Sequence, residues 1–270
     1  MRLTKLQQKS FKKNGYLVIK NIFTKSDCRK ISTLVKKNQN KLIISELDKD
    51  HPFSKIRNNS KVSVLNKINE KKLYKISNID KILDIGSKLR EKEMKKWFVK
   101  FYLKNAFDGD NEFYHQDFAY HKDKKAKNSD YLQCFVAFED HKLGSGCLRV
   151  FKGSHKIGLI KHYLVMTRNG LSKLTPSSKE LISLSKRCEL VNLELKAGSC
   201  VFFDYKLLHG SSSNASENSQ LRMVYQMISL NSKRDERKNR QVWLKRNKQE
   251  IDILKKIINY KNKFGGKKIN

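Results

Sequence analysis

Between residues 97 and 230 the sequence is cut into short apolar runs by turn-forming residues, and this pattern limits the fold more than any other feature. Trp97–Leu103, Tyr131–Phe138, Cys147–Phe151, Leu190–Leu195, Cys200–Leu208 and Leu221–Leu230 read as strands, rich in aromatic and β-branched residues. Asp108-Gly109-Asp110, Gly144-Ser145-Gly146 and Ala197-Gly198-Ser199 read as turns, and Ser211–Gln220 as a polar loop. Many short strands with such punctuation build barrels or double sheets. A helical third precedes them, so the expected class is mainly β with flanking helices (α+β). The expected core is a double-stranded β-helix, the jelly-roll or cupin-like arrangement.

The preceding third reads as helix, strand, helix. Leu3–Lys13 forms a short helix that Asn14-Gly15 ends, Tyr16–Ile19 a strand, and Thr24 or Ser26 caps a helix running to about Asn38. Residues 40–80 carry polar turns and short apolar pieces, and Ile79–Lys95 reads as helix. Residues 153–190 lack strand alternation and are expected to form a long excursion with helical parts. One domain over 1–230 is expected, with its helical part over about 1–95 and its jelly roll over about 97–230. Residues 231–270 are expected to form a basic, partly helical extension, in which Trp243, Ile251, Leu254 and Ile258 could share one face.

Composition bounds the partners. Lys and Arg number 59 against 26 Asp and Glu, a formal net charge of +33. A charge this large suits nucleic acid, an anionic membrane or a phosphorylated substrate. The lysines spread along the whole chain without forming a stripe, which favours compositional bias as the source of the charge. No run reaches the roughly 20 apolar residues of a membrane helix, and MRLTKLQQKSFKK lacks the apolar core of a secretory signal. Five scattered cysteines with no CxxC speak for reduced thiols and a cytoplasmic setting, and against structural zinc.

The chemistry centres on Phe113-Tyr114-His115-Gln116-Asp117. In an extended strand, residues i and i+2 share a face, so His115 and Asp117 are expected to project together. An imidazole and a carboxylate supply two of the three ligands of a 2-His-1-carboxylate triad, which holds Fe(II) and leaves open positions. A lone HxD is a common three-residue pattern. His209, between an apolar run and Gly210-Ser211-Ser212-Ser213, is the best third ligand, or else a core histidine bonded to a backbone carbonyl. Arg222, in the apolar run LRMVYQMISL, needs an anionic partner if buried. That partner is either a dicarboxylate co-substrate, held by the planar guanidinium, or an internal Asp or Glu.

Together HQD, GSGCLRVFKGSH, FFDYKLLHGSSSN and Arg222 resemble the phytanoyl-CoA dioxygenase family of Fe(II)/2-oxoglutarate oxygenases. FKKNGYLVIKNIFTKSDCRKI looks like that family's opening segment, and the resemblance covers about residues 5–230. It implies a jelly roll, with Fe(II), 2-oxoglutarate and O2 used to hydroxylate a small molecule and release succinate and CO2. His115, Asp117 and His209 match the metal ligands. Arg222 matches the 2-oxoglutarate anchor, and Ser211 a hydroxyl on the same carboxylate. Lys104 and Gln133 match positions near the co-substrate. Asn105 and Tyr114 stand where members often have proline and tryptophan, which alters the lining of the site. Asp117 disfavours the halogenating relatives.

His155 reads as structural, and His121, His141 and His162 as solvated. His51 could reach the site only if its loop folds over it. Lys122, Lys124, Lys125 and Lys127 after the HQD raise the expectation of an anionic substrate, against a merely solvated loop. The alternatives are a jelly roll that binds metal or ligand without turnover, or an oxygenase acting on nucleic acid. No nucleic-acid-binding motif is present to favour the latter.

Overall fold

The computed structural model describes residues 3–37, 79–107, 111–120, 127–166 and 172–232. His51, His121, Lys122, Lys124, Lys125 and the basic extension from 233 onward lie outside the described residues.

The chain opens with α1 (Lys5–Asn14), β1 (Tyr16–Ile19) and α2 (Lys25–Lys37). Thr4 begins α1 with a reciprocal capping box to Gln7. Gly15 ends it at φ +81°, donating its N–H to the Phe11 carbonyl at 2.8 Å. Thr24 accepts from the Asp27 N–H at 3.1 Å and so starts α2. The next element among the described residues is α3 (Ile79–Arg90). It stops five residues short of the expected Lys95, because β2 (Met94–Lys104) begins earlier than the aromatic run suggested. Ten residues of β2 pair along β11, which draws Met94 to Lys96 into the sheet.

Two antiparallel sheets make the jelly roll. The larger has the order β1-β9-β4-β11-β2, with β4 (Tyr131–Ala137), β9 (Cys200–Phe203) and β11 (Gln220–Ser229) at its centre. The smaller has the order β3-β10-β5-β8, with β3 (Glu112–His115), β5 (Leu148–Phe151), β8 (Leu190–Leu193) and β10 (His209–Ser211). The excursion over 153–190 is not purely irregular and helical. It contains a hairpin, β6 (Tyr163–Met166) with β7 (Ser172–Thr175), followed by α4 (Ser178–Ser185). Tyr163 to Met166 are all apolar, so no alternation marks that strand.

Alternation along β11 divides the core. Leu221, Met223, Tyr225 and Met227 face outward and pack with Phe11, Ile31, Val35, Ile82, Ile85 and Leu89 of the helices. Val224 faces inward and joins Phe135, Val150, Val201 and Phe203 between the sheets. Arg222 and Gln226 share the inward parity.

The expected strand over 200–208 stops early, at Phe203. The chain leaves β9 at Asp204, crosses between the sheets, and starts β10 at His209. Asp204 fixes this elbow. Its carboxylate accepts from Arg90 Nη1 (2.8 Å), Asn128 Nδ2 (2.9 Å) and the Lys206 N–H (2.8 Å), all in a buried setting. A buried carboxylate needs that degree of satisfaction. Tyr131 and Tyr205 stack beside it, with ring centroids 4.9 Å apart. No helix among the described residues is long and apolar enough to cross a membrane.

Candidate active site

His209 and His115 lie directly opposite each other in the β10–β3 ladder. Their rings stand 4.3 Å apart between centroids. Asp117 is not on the strand, as the i, i+2 argument required. β3 ends at His115, and Asp117 opens a 3-10 turn, Asp117–Tyr120. The turn still brings its carboxylate back to the imidazoles: Oδ1 is 3.4 Å from His115 Nε2, and Oδ2 is 3.9 Å from His209 Nε2. One donor atom from each of the three residues lies within 4.8 Å of the others, and all three residues are buried.

Both rings are held the same way. His115 Nδ1–H donates to the Phe113 carbonyl (2.7 Å) and His209 Nδ1–H to the Leu207 carbonyl (3.0 Å). Each bond fixes the tautomer and turns a bare Nε2 toward Asp117, as a metal-binding histidine requires. Burial and the adjacent His115 hold the His209 pKa down to about 4. At His115 burial acts downward too, but the Asp117 hydrogen bond and the Glu112 and Asp117 charges outweigh it and leave the pKa raised.

Gln116, between the two ligands, is fully buried. Its Nε2 donates to the carbonyls of Gly158 (2.8 Å) and Lys206 (2.6 Å), and its Oε1 accepts from the Ile160 N–H (2.8 Å). Its own backbone N–H donates to His162 Nε2 (3.0 Å), so His162 is half-buried and bonded, not solvated. His155 holds the Lys12 carbonyl through Nε2 (3.2 Å), the structural role expected of it. The β6–β7 hairpin docks on this region: Lys173 pairs with Glu112, Thr175 Oγ1 donates to the Tyr114 carbonyl (2.9 Å), and the Leu174 N–H donates to Tyr120 Oη (3.1 Å).

Arg222 is 6% exposed and lies on the inner wall, with its guanidinium carbon 5.7 Å from the Phe135 ring centroid. It forms no ion pair with a described residue, and its buried Nε has no hydrogen-bond partner. Burial lowers its pKa to about 10, which still leaves it charged at neutral pH. Lys104, also buried, donates to Ser211 Oγ (2.9 Å) and to the Ser212 carbonyl. Gly146 borders this group at φ +72°. A Cβ there would sit 2.5 Å from Ser212 O and 3.0 Å from Lys104 Nζ. Gln133 accepts from Gln226 Nε2 (2.6 Å) and pairs across the sheet with Phe203, whose ring lies 4.7 Å from that of His209.

Sequence reasoning missed three residues here. His141 was expected in solvent but is 1% exposed. It shares the parity of the inward positions Phe135 and Ala137, a signal that a charged neighbourhood obscured. Glu112 and Asn214 also went unremarked. Asn214 bridges the carbonyls of Asn105 and Asn218, both at 2.9 Å, and so shapes the loop after Ser211.

A jelly roll with two imidazoles and one carboxylate converging at a ladder end defines a class of metal-dependent enzymes. The chain belongs to the phytanoyl-CoA dioxygenase (PhyH) family, which matches residues 11–224. A phytanoyl-CoA dioxygenase of Arabidopsis thaliana is 32% identical over 103 residues, 37% of this chain and 34% of that protein. The chain therefore spans only about a third of that relative. The peroxisomal phytanoyl-CoA dioxygenase of Homo sapiens is 25% identical over 226 residues, 80% of this chain and 65% of that protein. Among solved structures, EctD from S. alaskensis with 2-oxoglutarate and 5-hydroxyectoine shares the fold. Its TM-score is 0.62 at 17% identity, over 86% of this chain and 78% of that one.

Proposed function

We propose that the protein is a non-haem Fe(II)/2-oxoglutarate-dependent dioxygenase that hydroxylates a small molecule. The coupled reaction is oxidative decarboxylation of 2-oxoglutarate to succinate and CO2. The observation that carries this reading is the pairing of a His115, Asp117, His209 cluster with a buried Arg222 that has no carboxylate partner among the described residues.

The donor set fits iron: two bare Nε2 atoms and a carboxylate, with both rings locked from behind. Bound there, iron would supply the activation of dioxygen. The chain's own residues position and shield. Arg222 receives the distal carboxylate of 2-oxoglutarate through its planar fork, with Ser211 and Lys104 as further donors. Gln133, opposite Phe203 and Gln226, lines the wall on the His209 side. Phe135, Val201, Phe203 and Val224 keep bulk water from that part of the barrel. Tyr120, edge-on to His115 with centroids 5.6 Å apart, walls the outer side.

On this reading the substrate is a small anion, drawn by the lysines that follow the HQD. Five buried, unpaired cysteines support a reducing, cytoplasmic setting. The whole of residues 1–230 acts as the oxygenase domain, and 231–270 as an appended segment. The test is succinate release with Fe(II), 2-oxoglutarate and oxygen, in wild type and in Asp117→Ala. Metal binding with no succinate above the Asp117→Ala background would leave a ligand-binding jelly roll instead.

A further inference from the structure

His141 has no part in the arrangement just described, yet its surroundings point to one. It follows β4, and its backbone is clamped to Leu195 in both directions, N–H to O at 2.7 Å and O from N–H at 2.9 Å. Its Nε2 faces the Leu221 carbonyl at 3.4 Å. A carbonyl accepts only, so Nε2 carries the proton and Nδ1 is a bare lone pair. That Nδ1 is buried and has no hydrogen-bond partner. Arg222, the residue after Leu221, has the complementary defect: a buried Nε–H donor with no partner. Both side chains lie against one ring. His141 meets Phe135 edge-on with centroids 5.5 Å apart, and the Arg222 guanidinium lies 5.7 Å from the same centroid. Buried unmatched polar atoms are rare in folded proteins, and two that complement each other against one ring call for a common explanation.

We propose that His141 is a positioning residue for the co-substrate pocket: its bare Nδ1 accepts from Arg222 Nε–H, after a small rotation or through one water, and aims the two outer guanidinium nitrogens at the 2-oxoglutarate carboxylate. This rests on the proposed function above. The choice of imidazole has a physical reason. A carboxylate in this place would orient Arg222 equally well but would neutralise it, removing the charge that attracts the co-substrate. An apolar ring would leave the charge and lose the orientation. A neutral imidazole accepts without adding charge, and here it stays neutral: burial, then the Arg222 charge, press its pKa down to about 3.

The experiment is calorimetric titration of 2-oxoglutarate into anaerobic Fe(II)-loaded protein, which needs no turnover and no substrate. His141→Phe keeps the ring and deletes the acceptor. Its Kd should rise about tenfold, the scale of one hydrogen bond to a charged group. His141→Asn places a neutral Oδ1 near the former Nδ1 and should stay within about threefold of wild type. His141→Asp, equal in shape to the Asn variant but charged, should bind more weakly than His141→Phe. Unchanged binding in His141→Phe, or equal binding in the Asn and Asp variants, overturns the proposal. If His141→Phe does not fold, the Asn and Asp pair decides alone. Wild-type protein that binds iron but no 2-oxoglutarate overturns the proposed function and this inference with it.

Discussion

The two sheets of the barrel divide its labour unequally. The larger sheet has β4 and β11 buried along their whole length, covered outside by α1, α2 and α3, and it carries the fixed charge of Arg222. The smaller sheet is made of strands of three or four residues, and all three proposed iron ligands sit on it or within two residues of it. Long paired strands resist local opening, whereas short ones with irregular register adjust easily. The β10–β3 ladder is in fact irregular between His209 and Ser211. The proposed anchor is therefore built on the rigid wall and the proposed metal ligands on the adaptable one. The proposed reaction, in which a co-substrate, oxygen and a substrate share one centre, would need that combination.

Substitutions can break or sharpen this contrast. The largest effect is expected on the smaller sheet: Asp117→Ala or His209→Ala should abolish iron retention and succinate formation, with little loss of melting temperature. A cooperative collapse of stability in either variant would show that the cluster is structural. Next is the elbow that joins the sheets. Arg90→Met strands the buried Asp204 carboxylate and should cost roughly 3–5 kcal/mol in denaturant unfolding. On the larger sheet, Arg222→Ala should weaken 2-oxoglutarate by about 2–5 kcal/mol, read as a raised KM, and Arg222→Lys should recover only part of it. An unchanged KM would remove Arg222 from the pocket.

A smaller effect concerns pH. Iron needs both imidazoles neutral, so it competes with a proton on His115, whose pKa is raised, and hardly at all with one on His209 near 4. Iron affinity should fall as pH drops through the raised His115 value, by at most about tenfold per pH unit. In the metal-free protein the two histidines act oppositely. Stability from protonated His115 is present below about 6.5 and lost as pH rises through its folded pKa. Stability from neutral His209 is present above about 6.5 and lost as pH falls toward about 4. Calorimetric iron titrations across neutral pH check the first trend. The smallest effect is expected from replacing Lys122, Lys124, Lys125 and Lys127 with glutamine. Substrate kcat/KM at low salt should fall and its salt dependence flatten, while substrate-independent 2-oxoglutarate turnover persists.

Much of the architecture was legible because strand alternation and turn residues act locally. β4 and the turns around Gly146 and Gly198 stand close to where their residues placed them. The break between β9 and β10 was not legible, because it depends on Asp204 meeting Arg90 and Asn128 from distant parts of the chain. The HxD pair was visible, yet its geometry arises from a 3-10 turn and not from strand parity. His209 and Arg222 were found as types, an imidazole beside a glycine loop and a cation in an apolar run. His141 was hidden because its acidic and basic neighbours suggest solvent, while its contacts with Leu195, Leu221 and Phe135 are all long-range. The same holds for the β6–β7 hairpin, whose pairing has no signature in an all-apolar tetrad.

Gly146 sets a boundary on how this chain could diverge. With its backbone left-handed and Ser212 O within 2.5 Å of any added Cβ, no side chain fits there without displacing the loop that holds Lys104. A library that varies residue 146 would mostly return dead clones, and so would drift at that codon. The hairpin over 163–175 touches the centre through a few side-chain bonds, so it can change while the chemistry survives. New substrate preferences would arise by rewriting that hairpin against an unaltered glycine.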